Sequence, residues 1–347
     1  MIGQAERGAT PISTVAAPAT VRRTSVWRRG TGLIGRVLST LGRHGPLLLA
    51  LSLVAGWVAP DLSQAARPWL PLAAFLLVLG SFLSAALARH DSCRLNPQLL
   101  IAIAFAALAP PVVVALALQL APFDADIELA ALLAALAPPT GSLAAIAAML
   151  ALRPRFALAL MLALTVSAPF AMPLLMGLFQ LGGQELWAPM ALRLAMIVGA
   201  AALIAAPPVC SRLERVGVLP DSDAASGVAV IGLVVVGVAT AGGVAALADA
   251  PDRLVALVGL AIGLNVLLVS LGAALFWRHG LATALTVGFA AGNRNVTLVW
   301  AAGASVLPVA AQTYLAVCVA PILLLPLVLK LILAARSRLP HAEHPRP

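Results

Sequence analysis

An arginine stands in the middle of a run of residues long enough to cross a lipid bilayer, and this placement constrains the chain more than any other feature. The run covers residues 281–304, LATALTVGFAAGNRNVTLVWAAGA, and Gly292-Asn293-Arg294-Asn295 interrupts it. Carrying arginine to the centre of a hydrocarbon layer costs about 3 kcal/mol on insertion scales, so such a side chain normally faces protein or a wet cavity. The glycine and the two asparagines weaken the helix and supply donors and acceptors for an unwound segment. A broken membrane helix is tolerated only where its freed backbone groups line a cavity or find partners inside the protein. The stretch reads as half of a binding site.

The rest of the chain has the composition of a membrane protein. Of its 347 residues, 62% are hydrophobic and only 10% are charged, far from the balance of a soluble domain. The net charge of +9 follows membrane orientation and does not point to nucleic acid, because the basic residues collect in the tails and in alternate loops. Residues 1–44 hold no apolar core of a cleavable signal peptide and read as a basic, largely disordered cytoplasmic tail that anionic lipid can attract. Cys93, Cys210 and Cys318 have no metal-like spacing, and no metal or cofactor is expected.

Ten spans are expected, at about 45–60, 68–88, 97–121, 125–151, 155–180, 186–208, 224–248, 252–276, 280–304 and 308–334. With both termini inside, eighteen basic residues fall in cytoplasmic segments, and only Arg67 and Arg253 fall outside. That asymmetry sets the orientation and checks the span count. Arg193 and Arg294 alone lie within spans, with Arg193 expected to snorkel to the outer interface.

The fourth span is also interrupted, by Pro138-Pro139-Thr140-Gly141-Ser142. Two prolines remove two backbone donors, and the glycine permits a turn. The fourth and ninth spans cross in opposite senses, as in an inverted-topology repeat with its site where broken helices cross. Paired prolines follow each break at a similar distance: Pro169 and Pro173 after the first, Pro321 and Pro326 after the second. The expected fold is all-α: a polytopic membrane protein of ten transmembrane helices in a 5+5 inverted repeat (45–180 and 186–334), with discontinuous helices 4 and 9 and a C-terminal tail over 335–347.

This layout, and the stretch from Ala137 to Met176, resembles the bile acid:sodium symporter family, whose ninth span carries a Gly-x-Gln-Asn break. The resemblance implies a panel of spans 1, 2, 6 and 7 beside a core of spans 3–5 and 8–10. It also implies sodium bound at the crossing, yet the matching positions here hold Ala290, Arg294, Leu143, Ala144 and Phe105. Hard cations need oxygen ligands, and none of these side chains supplies one, so sodium coupling is doubtful.

Arg294 supplies a fixed positive charge without an ion, and its planar fork suits carboxylate, sulfonate or phosphate. Two roles are open to it: a ligand for an anionic substrate, or a lock on the break through loop carbonyls. Asn293, Asn295 and Thr297, like Thr140 and Ser142, either cap the broken ends or touch substrate. Asn265 in the eighth span either lines the cavity or bonds between helices. No span-centre Asp or Glu, His-Glu-x-x-His, Gly-x-Ser-x-Gly or P-loop occurs, so the chain is not expected to be an enzyme. The expected function is secondary transport of a small organic anion across a bacterial inner membrane by alternating access. A sodium-independent facilitator or exporter of the same fold, or a transport-incompetent receptor, are the alternatives.

Overall fold

A computed structural model of the chain describes residues 32–87, 96–120, 123–219, 221–245, 247 and 250–336. The tail over residues 1–30, Cys93 and the C-terminal tail beyond Arg336 lie outside the described residues. The described chain is helical: α1 (Leu33–Arg43), α2 (Gly45–Val58), α3 (Pro60–Ala66), α4 (Leu70–Leu87), α5 (Pro97–Leu118), α6 (Ala125–Leu136), α7 (Leu143–Met149) and α8 (Pro154–Leu178) come first. They are followed by α9 (Gln184–Ile204), α10 (Pro207–Arg215), α11 (Ser222–Ala245), α12 (Pro251–Leu275), α13 (Leu281–Gly292), α14 (Val296–Gly303) and α15 (Val309–Arg336).

Proline starts many of these helices. It occupies the first turn of α2, α3, α5, α8, α10 and α12, where its missing N–H costs nothing and its fixed φ already fits a helix. At α5 a side-chain cap assists, because Asn96 Oδ1 accepts from the Leu99 amide at 2.8 Å.

Seven helical stretches among the described residues are long and apolar enough to cross a membrane: Pro60–Leu87, Pro97–Leu118, Pro154–Leu178, Gln184–Ile204, Ser222–Ala245, Pro251–Leu275 and Val309–Ile332. Their outer faces carry bare apolar side chains, such as Phe170 at 80% exposure and Leu174 at 75%. Such faces suit hydrocarbon rather than water. The protein is therefore an all-α, multi-pass membrane protein. The expected ranges 45–60, 125–151 and 280–304 are not single helices of this kind. The first is the short α2, and the other two are split into α6 with α7 and α13 with α14.

The expectation of an unstructured tail through residue 44 needs correction. Leu33–Arg43 forms α1, bent by 78° from the following helix segment. Leu38, Ser39 and Gly42 turn toward α11, where the Ser39 hydroxyl donates to Asp221 Oδ1 at 2.9 Å. Leu33, Ile34, Val37 and Leu41 recur at helical spacing, yet the small face with Gly35 and Ser39 is the one buried, and Leu33, Ile34 and Val37 stay exposed.

Helix α11 is the axis of one half of the structure. A Cβ on Gly227 would strike the Leu38 carbonyl of α1, and one on Gly232 the Ala73 carbonyl of α4. One on Gly237 would strike Ser52 of α2, and one on Gly242 Ser63 of α3. Five residues advance a helix by about 140° beyond a full turn, so each glycine faces a different neighbour. Small residues let membrane helices approach to backbone contact, as α1, α2 and α4 do with α11, while α3 reaches it through the short side chain of Ser63. In the other half, α5, α7, α8 and α13 share an apolar cluster that includes Ala102, Leu143, Phe156, Leu160 and Val287. Helices α12 and α13 meet through Gly272 and Gly288, 2.7 Å being the distance from a Cβ built on Gly272 to the Gly288 Cα.

Candidate functional site

The two interruptions meet. Pro138 and Pro139 end α6, and the Asn293 to Asn295 segment separates α13 from α14. Thr140 N–H donates to the Asn293 carbonyl at 2.9 Å, and Asn295 N–H donates to the Pro138 carbonyl at 2.7 Å. Pro139 and Arg294 thus lie opposite each other in an antiparallel bridge. Each break supplies the partners that the other has lost, which satisfies the demand on irregular backbone at membrane depth.

Three side chains of the second break and its neighbour α12 extend this economy. Arg294 is 4% exposed, and its Nη1 donates to the Ala106 carbonyl and to the Ala290 carbonyl, both at 3.0 Å. Both acceptors are carbonyls without their usual helical donor. Ala106 would be served by residue 110, a proline, and Ala290 by the Arg294 amide, which turns instead to the Gly292 carbonyl at 3.1 Å. A cation on the last carbonyls of α13 also opposes the negative end of that helix dipole. Asn293 Nδ2 repeats the device by donating at 3.1 Å to the Ile322 carbonyl, whose helical donor position is Pro326. Asn265 Nδ2 then donates to the Gly292 carbonyl and to Asn293 Oδ1, both at 3.1 Å.

A cavity of about 40 Å³ adjoins this network, bounded by α5, α6, α12, α15 and the second break. Asn265, Gly292 and Arg294 line it with Tyr314 and Cys318, and the remaining wall is apolar, including Ala131, Ala134, Ala261 and Leu264. Two buried polar atoms of these residues, Arg294 Nε and Asn265 Oδ1, have no hydrogen-bond partner among the described residues. Both of the hydrogen bonds to Arg294 run through Nη1, so the Nε edge of its fork is unused.

The sequence-derived residues divide. Arg294, Asn293 and Asn265 come together, and Asn265 both bonds across helices and lines the cavity. Asn295 caps α14, its Oδ1 accepting from Leu298 N at 3.2 Å. Thr297 is buried in the first turn of α14 and does not line the cavity. Thr140 and Ser142 pair with each other at 3.2 Å on an exposed edge, because Gly141 presses against Ser81 of α4 and turns them away. Arg193 does not merely snorkel: its Nη1 donates to the Ala302 carbonyl at 3.2 Å, near the end of α14.

At the positions where the family resemblance implies sodium ligands, Ala290 is fully buried with its carbonyl on Arg294, and Leu143 is buried in the apolar cluster. Phe105 lies against Phe276 with ring centroids 5.5 Å apart. Tyr314 escaped the sequence reading and Cys318 entered it only as a cysteine without metal-like spacing, since a tyrosine and a cysteine in an apolar helix do not by themselves mark a cavity. Proline i+4 from a buried carbonyl was the available signal for the acceptors at Ala106 and Ile322. Compared with known protein families and with curated proteins, the chain finds no match to either.

Proposed function

We propose that the chain is a secondary transporter of the bile acid:sodium symporter type, which moves a small organic anion by alternating access and does so without sodium. The observation that carries the proposal is the antiparallel pairing of Pro139 with Arg294, beside a cavity lined by a buried guanidinium. Interrupted helices that meet in this way are how many transporters build a site at the membrane midplane. The ten crossing elements of a 5+5 inverted repeat account for two interruptions that fall an odd number of spans apart and pair with each other. The uneven spread of basic residues, eighteen on one side of the expected spans against two on the other, supports an orientation with both termini in the cytoplasm of a bacterial inner membrane.

Arg294 supplies the charge that selects an anion. Its Nη1 is tied to two carbonyls, which fixes the plane of the fork before any ligand arrives, and preorganisation of this kind lowers the cost of binding. A cavity of about 40 Å³ has room for about three water molecules beside the guanidinium. Ala290, Leu143, Ala144 and Phe105 offer no side-chain oxygen to an ion, and the guanidinium occupies the charge position permanently.

Uptake of labelled organic anions by proteoliposomes, with and without a sodium gradient, tests the proposal. Equal uptake in the two conditions is expected. Stimulation by sodium overturns the sodium-free mechanism, and binding of an anion without any flux overturns transport in favour of a receptor.

A further inference from the structure

Helix α1 runs across the end of α11 and not alongside it. Helix α2 follows α11 in register, with Gly45 against Val230, Ser52 against Gly237 and Gly56 against the Val238 carbonyl, and α1 is bent by 78° from the Leu47–Val58 stretch of α2. Because α11 is long and apolar enough to span the bilayer, α1 lies close to the membrane plane. It sits at the level where α11 begins, since Ser39 bonds to Asp221 just ahead of the first turn of that helix. At about 100° per residue, its side chains sort into three arcs. Gly35, Ser39 and Gly42 form the packed arc, Leu33, Ile34, Val37 and Leu41 a second, and Arg36 and Arg43 a third. The apolar arc is bare, with Leu33, Ile34 and Val37 at 79%, 61% and 50% exposure. Helix α10 repeats the sorting: Cys210 is buried, while Val209, Arg212, Arg215 and, just past its end, Val216 are exposed. The two helices adjoin, a Cβ built on Gly32 lying 3.7 Å from the Gly217 carbonyl oxygen.

We propose that α1 and α10 form a collar at this rim that binds anionic phospholipid of the surrounding leaflet. The arginines hold headgroup phosphate, and the bare apolar side chains enter the top of the acyl layer. A helix that lies in the interface with apolar residues beside arginines binds through buried apolar area and through attraction to anionic lipid together. The membrane-spanning helices of the chain put that leaflet next to the collar. Charge decides which lipid: the two helices carry four arginines and one carboxylate, Glu214. The carboxylates at the start of α11 are engaged within the protein, Asp221 by the Ser39 hydroxyl and the Ala224 amide, and Asp223 by Arg43 at 3.7 Å. A second copy on the same face would set these arginines against their own counterparts across a twofold axis, whereas headgroup phosphate answers them. The collar is independent of what the protein carries, and goes beyond the transport proposed above.

The test uses the purified full-length protein in a neutral detergent, with native mass spectrometry of bound lipid as the readout. The probes are dioctanoyl phosphatidylglycerol, dioctanoyl phosphatidylcholine and glycerol phosphate. Phosphatidylglycerol is expected to bind about tenfold or more tighter than phosphatidylcholine, since each arginine near an anionic surface is worth about fivefold. Glycerol phosphate, which has no chains, is expected not to compete. Arg36→Gln/Arg212→Gln/Arg215→Gln should remove the preference while phosphatidylcholine still binds. A photoreactive phosphatidylglycerol locates the site on the wild-type protein even if that variant does not fold, and its adducts are expected on residues 33–43 and 207–216. Equal affinity for the two lipids, a preference that survives the triple substitution, or adducts confined to other segments overturns the inference. Competition by glycerol phosphate as strong as by phosphatidylglycerol assigns the arginines to free phosphate, and a dimer that Leu33→Ser/Val37→Ser dissociates assigns the face to a second copy. Either result overturns the inference as well, and all of these outcomes leave the transport proposal standing.

Discussion

Arg294 reaches across from the second break to the carbonyl of Ala106 at 3.0 Å, the one carbonyl of α5 that Pro110 leaves without its i+4 amide. A buried charge and a buried orphan carbonyl are each costly alone. Placed together they offset one another, and the same side chain also closes the end of α13 through Ala290. The arginine is thus a fastener between α5 and the break as well as a wall of the cavity.

This double duty can be separated by a mutant cycle. Arg294→Gln should lower stability by about 1–3 kcal/mol, measured by thermal or denaturant unfolding in detergent, because two acceptors lose a charged donor. In a Pro110→Ala background the helix regains an amide for the Ala106 carbonyl, so the same substitution should cost less, by about 1 kcal/mol of coupling. Equal cost in both backgrounds means that Ala106 is not an acceptor that depends on Arg294.

Anion binding by the same variant gives an independent readout. Arg294→Gln should weaken it by tenfold or more, since a lost charged contact costs about 1.5–3 kcal/mol. Arg294→Lys should restore little, because an ammonium cannot hold two carbonyls and still present a planar edge. Full affinity in either variant would remove Arg294 from the binding surface.

Asn293 is the corresponding fastener toward α15. Asn293→Ala removes the donor to the Ile322 carbonyl and an acceptor of Asn265 Nδ2, and should destabilise by about 1–3 kcal/mol. Asn295→Ala removes only the cap on Leu298 and should cost about 1 kcal/mol. Unfolding midpoints for the pair check the order, and a larger effect at Asn295 would contradict this network.

The glycines of α11 predict a contrast within one residue type. Gly227→Ala and Gly232→Ala drive a methyl group into the backbones of α1 and α4, and overpacking of this kind costs about 1–3 kcal/mol. Gly199→Ala, on α9 where a Cβ meets nothing within 4 Å, should be neutral or stabilise by up to about 1 kcal/mol. Unfolding transitions of the three variants, compared in one detergent, decide it.

Much of this architecture could be read before the coordinates. The apolar runs located the long helices, and Pro138-Pro139 with Gly292 to Asn295 located both interruptions, because prolines and polar residues at membrane depth leave few other interpretations. What the runs could not supply was direction. Thr140 and Ser142 stand beside the break in sequence, yet Gly141 lies so close to Ser81 that both hydroxyls turn outward. Arg193 and Tyr314 likewise depend on helix rotation, which an evenly apolar helix does not encode. Leu33–Arg43 is the opposite case: its apolar residues do recur at helical spacing, but the face that packs is the small one with Gly35 and Ser39.

The four glycines spaced around α11 have a mechanical consequence. Main chain of α1 and α4 lies against Gly227 and Gly232, and only the short side chains of Ser52 and Ser63 lie against Gly237 and Gly242, so little compliant material separates α11 from α1 to α4, and the five form one chassis. In the alternating-access mechanism proposed above, the assembly that carries the paired interruptions is then the freight that travels, and this frame is what it rides against.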